Sequence, residues 1–334
     1  MDRAAYITKD LTYITFNQDL TRICIGTDDG FRIFKTYPFH YSYRRDLNGG
    51  FKIVEMLYKS SLVALVGNGS DAAFPCNKVI FWDDQKARAR GEIPLNHDVC
   101  ALKMKKDYVF IASEYSIHVY VTDSLEYKDF IETRHNSTGI LSVSLDADST
   151  ILAYPAMRKG VVGLINYNTA QKYSLKVHKS AIMCLALNDN GSLLATASNV
   201  GTKIKIFSTV DRSLLKEVRR GVDRAIITNL CFDPHSQWLA CCSDKGTLHL
   251  FSITTNQTSV EKRFWKRVMR SMLQNQTHYD RLHLTDFKTI CCFLEENRII
   301  ALNANGEYFE ITFNPSSPGN MSVVSSSKFV DISK

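Results

Sequence analysis

Short runs of Ile, Val, Leu, Phe and Tyr alternate with polar residues along almost the whole chain, and Asp-Gly, Asn-Gly and other glycine-bearing turns bound them. Alternation with period two marks half-buried strands, and helical periodicity is nearly absent. Three stretches share one register. Phe16 to Gly30, Leu187 to Gly201 and Phe232 to Gly246 each open on an apolar residue, pass a polar turn and an apolar strand, and reach a glycine 14 positions on. Behind each glycine comes a further strand ending in an aromatic residue, at Phe34, Phe207 and Phe251. A degenerate copy opens at Leu145, so the openings at 145, 187 and 232 lie 42 and 45 residues apart, and weaker copies fit near 57–82, 102–121 and 290–313.

A period of roughly 43 residues built from four short antiparallel strands is the size of one propeller blade. Seven such units predict an all-β fold, a seven-bladed β-propeller of the WD40-like kind, occupying 1–334 as one domain. The usual Trp-Asp punctuation is sparse, with Trp82-Asp83 the only such pair.

The step from Phe232 to its counterpart near Phe293 is too long by about half a blade. The surplus falls at 254–281 and contains Lys262-Arg-Phe-Trp-Lys-Arg-Val-Met-Arg-Ser-Met-Leu273. Phe264, Trp265, Val268, Met269, Met272 and Leu273 recur on one stripe of a helix, with Lys262, Arg263, Lys266, Arg267 and Arg270 around it. Such a basic amphipathic segment can lie in a membrane interface. One buried apolar side chain contributes about 1.5–3 kcal/mol and one cation near anionic lipid about 1 kcal/mol. Packing on the side of the propeller and docking in a partner's groove are the alternatives.

Composition narrows the function classes. Of 334 residues 45% are hydrophobic, so a large core is available, and 41 Lys plus Arg against 34 Asp plus Glu leave a net charge of +7. No apolar run approaches the roughly 20 residues that span a bilayer, and the first residues lack a signal-peptide apolar region, so the expectation is a soluble, cytoplasmic, monomeric chain. Nine cysteines without a C-x-x-C pair read as reduced, buried small side chains, with no metal site. No nucleophile elbow, P-loop or H-E-x-x-H is present, and no groove-reading motif accompanies the charge. Neither an enzyme, a cofactor nor nucleic-acid binding is expected.

A second local concentration of charge is Glu217-Val-Arg-Arg-Gly-Val222, at the junction of the fifth and sixth repeats. Successive residues of an extended segment point to opposite sides, so Arg219 and Arg220 enter two environments, one toward each neighbouring blade. The fifth repeat brings Thr196, Ser198, Thr202 and Lys205 near this pair, the sixth brings Ser243, Lys245, Thr247 and His249, and His178 opens the fifth blade. Arginine forks, hydroxyls and cationic nitrogens are the groups that hold phosphate. Taken alone, an Arg-Arg-Gly is more often a solvated turn.

Val218-Arg-Arg-Gly221 resembles the Phe/Leu-Arg-Arg-Gly motif of the PROPPINs, the phosphoinositide-binding propellers of autophagy that include the WIPI proteins. Gly221-Val-Asp-Arg-Ala225, Ser243 to Phe251, Ala195 to Ser198, Phe16-Asn-Gln-Asp19, Ala64 to Gly67, Asn77 to Asp84 and Phe313-Asn-Pro315 extend the likeness, which is nearest to the small WIPI type. The resemblance implies recognition of phosphatidylinositol 3-phosphate and phosphatidylinositol 3,5-bisphosphate in two rim pockets. His178, Ser198, Thr202, Lys205 and Arg219 would form one pocket, and Arg220, Ser243, Thr247 and His249 the other. It also implies that the blade-six insertion enters the bilayer, and that the protein recruits autophagy machinery to pre-autophagosomal and endosomal, lysosomal or vacuolar membranes. Asn17 and Asp19 match an Asn-x-Asp that contacts the lipid-transfer protein of the Atg2 type; as plain residues they are turn formers. The chain departs from the family pattern at Val218, Lys205, Cys242 and Thr228. A propeller scaffold that binds proteins without lipid specificity is the competing reading.

Overall fold

The computed structural model describes residues 11–253, 279–295 and 297–329. Seven four-stranded antiparallel sheets follow one another along the chain, each made of four consecutive strands. Blade one is β1 (Tyr13–Phe16), β2 (Arg22–Gly26), β3 (Gly30–Lys35) and β4 (His40–Asp46). Blades two, three and four span Phe51–Pro94, Ala101–Glu132 and Ser142–Lys176, and hold β5–β8, β9–β12 and β13–β16. Blade five is β17 (Ile182–Leu187), β18 (Leu193–Ser198), β19 (Lys203–Ser208) and β20 (Leu214–Arg219). Blade six is β21 (Ile227–Phe232), β22 (Trp238–Ser243), β23 (Thr247–Ser252) and β24 (Asp280–His283). Blade seven is β25 (Thr289–Leu294), β26 (Arg298–Asn303), β27 (Glu307–Thr312) and β28 (Ser322–Lys328). The repeated apolar openings are the last residues of first strands, and the repeated glycines prepare the third.

Alternation supplies both faces of every blade with apolar side chains, and neighbouring blades bury them against one another. Ala195, Ala197, Ile204, Ile206 and Val218 of blade five pack on Leu230, Leu239 and Phe251 of blade six. First strands line a central cavity of about 410 Å³, with Ile14, Ser142, Leu185 and Leu230 in its wall. The nine cysteines are free; Cys24, Cys241, Cys242, Cys291 and Cys292 are buried, while Cys76, Cys100, Cys184 and Cys231 are only half-buried.

Among the described residues the ring closes through side chains rather than by exchanging a strand, because the seventh sheet takes its outer strand, β28, from the C-terminal segment. Phe39 stacks on Tyr308 with centroids 4.1 Å apart, Phe34 meets Phe329 at 5.1 Å, and the Tyr308 hydroxyl donates to the Thr36 carbonyl across 3.1 Å. In blade six residues 253–279 separate the third and fourth strands, whereas 209–213 suffice in blade five. The expected boundary at 281 shifts, since Asp280 and Arg281 already belong to β24. Phe264, Trp265, Val268, Met269, Met272 and Leu273 lie outside the described residues.

Candidate functional site

Cross-strand pairing sets the first group. Thr196 pairs with Lys205, Lys205 with Glu217 and Lys203 with Arg219, so these residues share the face of blade five opposite the one packed on blade six. The Lys205 ammonium donates to the Val177 carbonyl at 3.0 Å and lies 3.7 Å from Glu217, whose nearer partner is Lys203 at 2.6 Å. Burial works to raise the Glu217 pKa, but the hydrogen bond and charge of Lys203, then the charge of Lys205, hold it below the usual carboxylate range. His178 lies 3.0 Å from the Thr196 hydroxyl, and burial pushes its imidazole below the ordinary histidine pKa. Arg219 stands exposed, its Nε 3.4 Å from the Gly221 carbonyl. Ser198 is buried at the end of β18. Thr202 contributes through its carbonyl, which accepts the Arg220 amide at 2.9 Å.

Glu217 and Lys203 were absent from the expected set although both lie on its face. Counting back two residues from Arg219 and from Lys205 reaches them, which is the signal that finds them.

The second group gathers between blades five and six. Arg220 is 7% exposed; its Nε donates to the Gly201 carbonyl at 2.8 Å and its Nη2 to the Asp223 carbonyl at 2.5 Å. This guanidinium therefore ties the β18–β19 turn to the linker between blades. The turn is tight: Gly201 has φ +68, and a Cβ there would lie 1.8 Å from the Ala225 carbonyl oxygen. Ser243 is fully buried, and its hydroxyl has no hydrogen-bond partner among the described residues. His249 is 5% exposed and pairs with Cys241 on one side and Arg281 on the other. Thr247 pairs with His283, its hydroxyl 3.4 Å from His283 Nδ1. Arg281 and His283, both exposed, thus extend this group with two cationic or cationisable side chains not anticipated from sequence.

Asn17 is 2% exposed. Its side chain accepts the Arg22 amide at 2.9 Å and donates to the Tyr58 carbonyl of blade two at 2.9 Å. Asn188 repeats this lock in blade five, accepting the Leu193 amide at 2.8 Å and donating to Ser236 of blade six at 2.9 Å. Asp19 accepts from the Thr21 hydroxyl at 2.6 Å and lines a cavity of about 900 Å³ at one mouth of the channel. Among the described residues no cluster of three potential ligands could hold a metal ion, and no helix is long and apolar enough to cross a membrane.

Comparison with known proteins agrees with this architecture. The PROPPIN family profile matches residues 10–305. Autophagy-related protein 18e of Arabidopsis thaliana is 32% identical over 92% of this chain and 85% of its own length. SVP1-like protein 2 of Pichia angusta is 31% identical over 76% of this chain and 72% of its own length. Among solved structures, the complex of KlAtg21 with the coiled-coil of AgAtg16 superposes with a TM-score of 0.80 at 23% identity, covering 96% of this chain and 99% of that one. Kluyveromyces lactis Hsv2 gives 0.78 at 18% identity over the same shares; both likenesses bear on the fold. With the family profile matching residues 10–305 and a relative 32% identical over 92% of this chain, the protein belongs to the PROPPIN family.

Proposed function

We propose that this protein is a non-enzymatic membrane effector that binds 3-phosphorylated inositol lipids at the rim of blades five and six and recruits autophagy machinery there. The observation that carries this reading is the strand end at Arg219 and Arg220. Adjacent residues leave for two different blade interfaces, and each interface already holds hydroxyl and basic side chains. Relatives named autophagy-related protein 18e and autophagy-related protein 18 support the cellular role, and the coiled-coil seated on KlAtg21 supports a protein partner in addition to lipid. The ligands proposed are phosphatidylinositol 3-phosphate and phosphatidylinositol 3,5-bisphosphate, with the 254–281 insertion as bilayer anchor and a lipid-transfer protein of the Atg2 type as recruited partner. Two modest headgroup sites and an anchor acting on one surface multiply avidity without any single tight contact.

The geometry around Arg220 shapes the test. Arg219→Thr with Arg220→Thr removes both arginines but also a buried tie, so it requires a thermal melt beside the binding assay. Arg219→Thr with Arg281→Thr alters one exposed cation in each group and spares that tie. Flotation with phosphoinositide liposomes is expected to be lost in the second variant at an unchanged melting temperature; undiminished flotation would overturn the proposal. The ion pairs of Lys203 and Lys205 with Glu217 favour the second reading, a protein-binding scaffold, in which these cations are structural. Retained partner binding with no lipid binding in the wild type decides for it.

A further inference from the structure

Where blades three, four and five meet, a cavity of about 240 Å³ opens beside the turns that connect second to third strands. Its walls are the linker after β12 (Tyr127–Glu132), the turn between β14 (Ile151–Pro155) and β15 (Val161–Asn166), and the start of β17. The linker contributes Arg134, the turn contributes Arg158, and no Asp or Glu lies among the described residues of the lining. Both arginines are exposed, and among the described residues neither guanidinium has an ion pair or hydrogen bond. Glu114, whose carbonyl accepts the Asn136 amide, is engaged through its carboxylate by His135 of the lining at 2.7 Å.

The site is built rather than merely open. Asn136 is 2% exposed; its side chain bonds the Ile140 carbonyl at 3.0 Å and the Ile140 amide at 2.8 Å, closing the linker into a fixed turn. Gly139 takes φ +65 with blade three so close that a Cβ would lie 2.5 Å from the Ala101 Cβ. Across the cavity, the Gly160 carbonyl accepts the amides of Val177 and His178 at 2.9 and 3.1 Å, which fixes the turn that carries Arg158. Ile140, Ile182 and Met183 add apolar side chains to the lining.

Size and chemistry choose the ligand. About 240 Å³ is below the roughly 300–1,000 Å³ of sites that enclose a whole small molecule, but suits one or two side chains. Two unpaired guanidiniums in a lining that holds no carboxylate call for an anion, and the apolar lining residues call for an apolar neighbour, for which Met183 offers an adaptable surface. Met183 belongs to the inner strand β17 and also lines the central cavity. We infer that the cavity takes an acidic, apolar-flanked segment of a protein partner, with a carboxylate between Arg134 and Arg158 and the adjoining apolar side chain on Ile182 and Met183.

The test uses the full chain without lipid. A fluorescein-labelled peptide carrying Leu-Glu-Leu-Glu between Gly-Ser flanks is titrated by anisotropy at low salt, with a Leu-Lys-Leu-Lys peptide as control. Saturable binding of the acidic peptide alone is expected. It should weaken on the order of tenfold or more in Arg134→Glu with Arg158→Glu, the loss of about one charge-assisted contact, and stay unchanged in Arg219→Thr. Absent binding to the wild type, or equal binding to the reversed variant, overturns the inference. So does displacement by inorganic phosphate together with the same loss in Arg219→Thr, which would make the cavity an extension of the rim phosphate sites.

Discussion

Replacing Arg220 by Thr tests how much of the arginine pair is architecture. The substitution removes two charged-donor hydrogen bonds, to the carbonyls of Gly201 and Asp223, from a side chain only 7% exposed. At about 1.5–3 kcal/mol for each bond to a charged group, the loss is about 3–6 kcal/mol. For 334 residues, an unfolding entropy of about 2.1 cal/mol/K per residue gives about 0.7 kcal/mol/K, so the midpoint should fall by about 4–9 °C. Arg219→Thr removes an exposed side chain whose one internal contact is 3.4 Å long; surface changes of this kind stay within about 0.5 kcal/mol, under about 1 °C. Arg220→Lys keeps the charge but has a single donor group in place of the fork, and should recover about half of the loss. The assay is thermal unfolding of the full chain followed by intrinsic fluorescence. If Arg220→Thr melts with the wild type, the guanidinium is not a structural tie, and its burial has to be explained by a ligand instead.

Tyr308→Ala should cost about 3–5 kcal/mol by emptying the closure between blades seven and one, while Tyr308→Phe, which loses only the bond to Thr36, should cost about 0.5–1.5 kcal/mol; denaturant melts separate the two. Burial first of all lowers the His178 pKa from its ordinary 6.5. The unfolded chain therefore takes up this proton before the folded one as pH falls, and stability declines from near neutrality downward. His178→Gln should flatten that decline relative to wild type, and an unchanged pH slope would refute the assignment. Trp265→Asp with Met269→Asp is expected to weaken liposome binding while sparing binding of a soluble inositol phosphate, measured by calorimetry; equal loss of both would make the insertion structural.

Much of this protein is legible in one dimension because its strands alternate inside and outside with period two. The register from Leu187 to Gly201 marks the end of β17, all of β18 and the turn before β19, and the same spacing at Phe16 and Phe232 repeats it. The divergence of Arg219 and Arg220 follows from the same rule: Val218 between the blades and Arg219 exposed are consecutive residues on opposite faces. Asn17 is less legible. Its chemistry suits a turn or a partner equally, and only the contact with Tyr58 from blade two gives it the work of joining blades.

What the sequence determined by itself is therefore local and repeated: strand periodicity, the blade count, the surplus in blade six, and which side chains share a strand face. Tertiary structure decided what lies opposite what. Arg281 is brought beside His249 by a ladder that resumes after residues 253–279, and nothing in the intervening composition fixes that register. The Arg220 guanidinium meets two carbonyls because a glycine turn presses against a linker, and Arg134 and Arg158 line one cavity because neighbouring blades share its wall. Alternation is a property of one strand and can be read along it, whereas pairing across strands and blades depends on chain closure that only the folded packing sets.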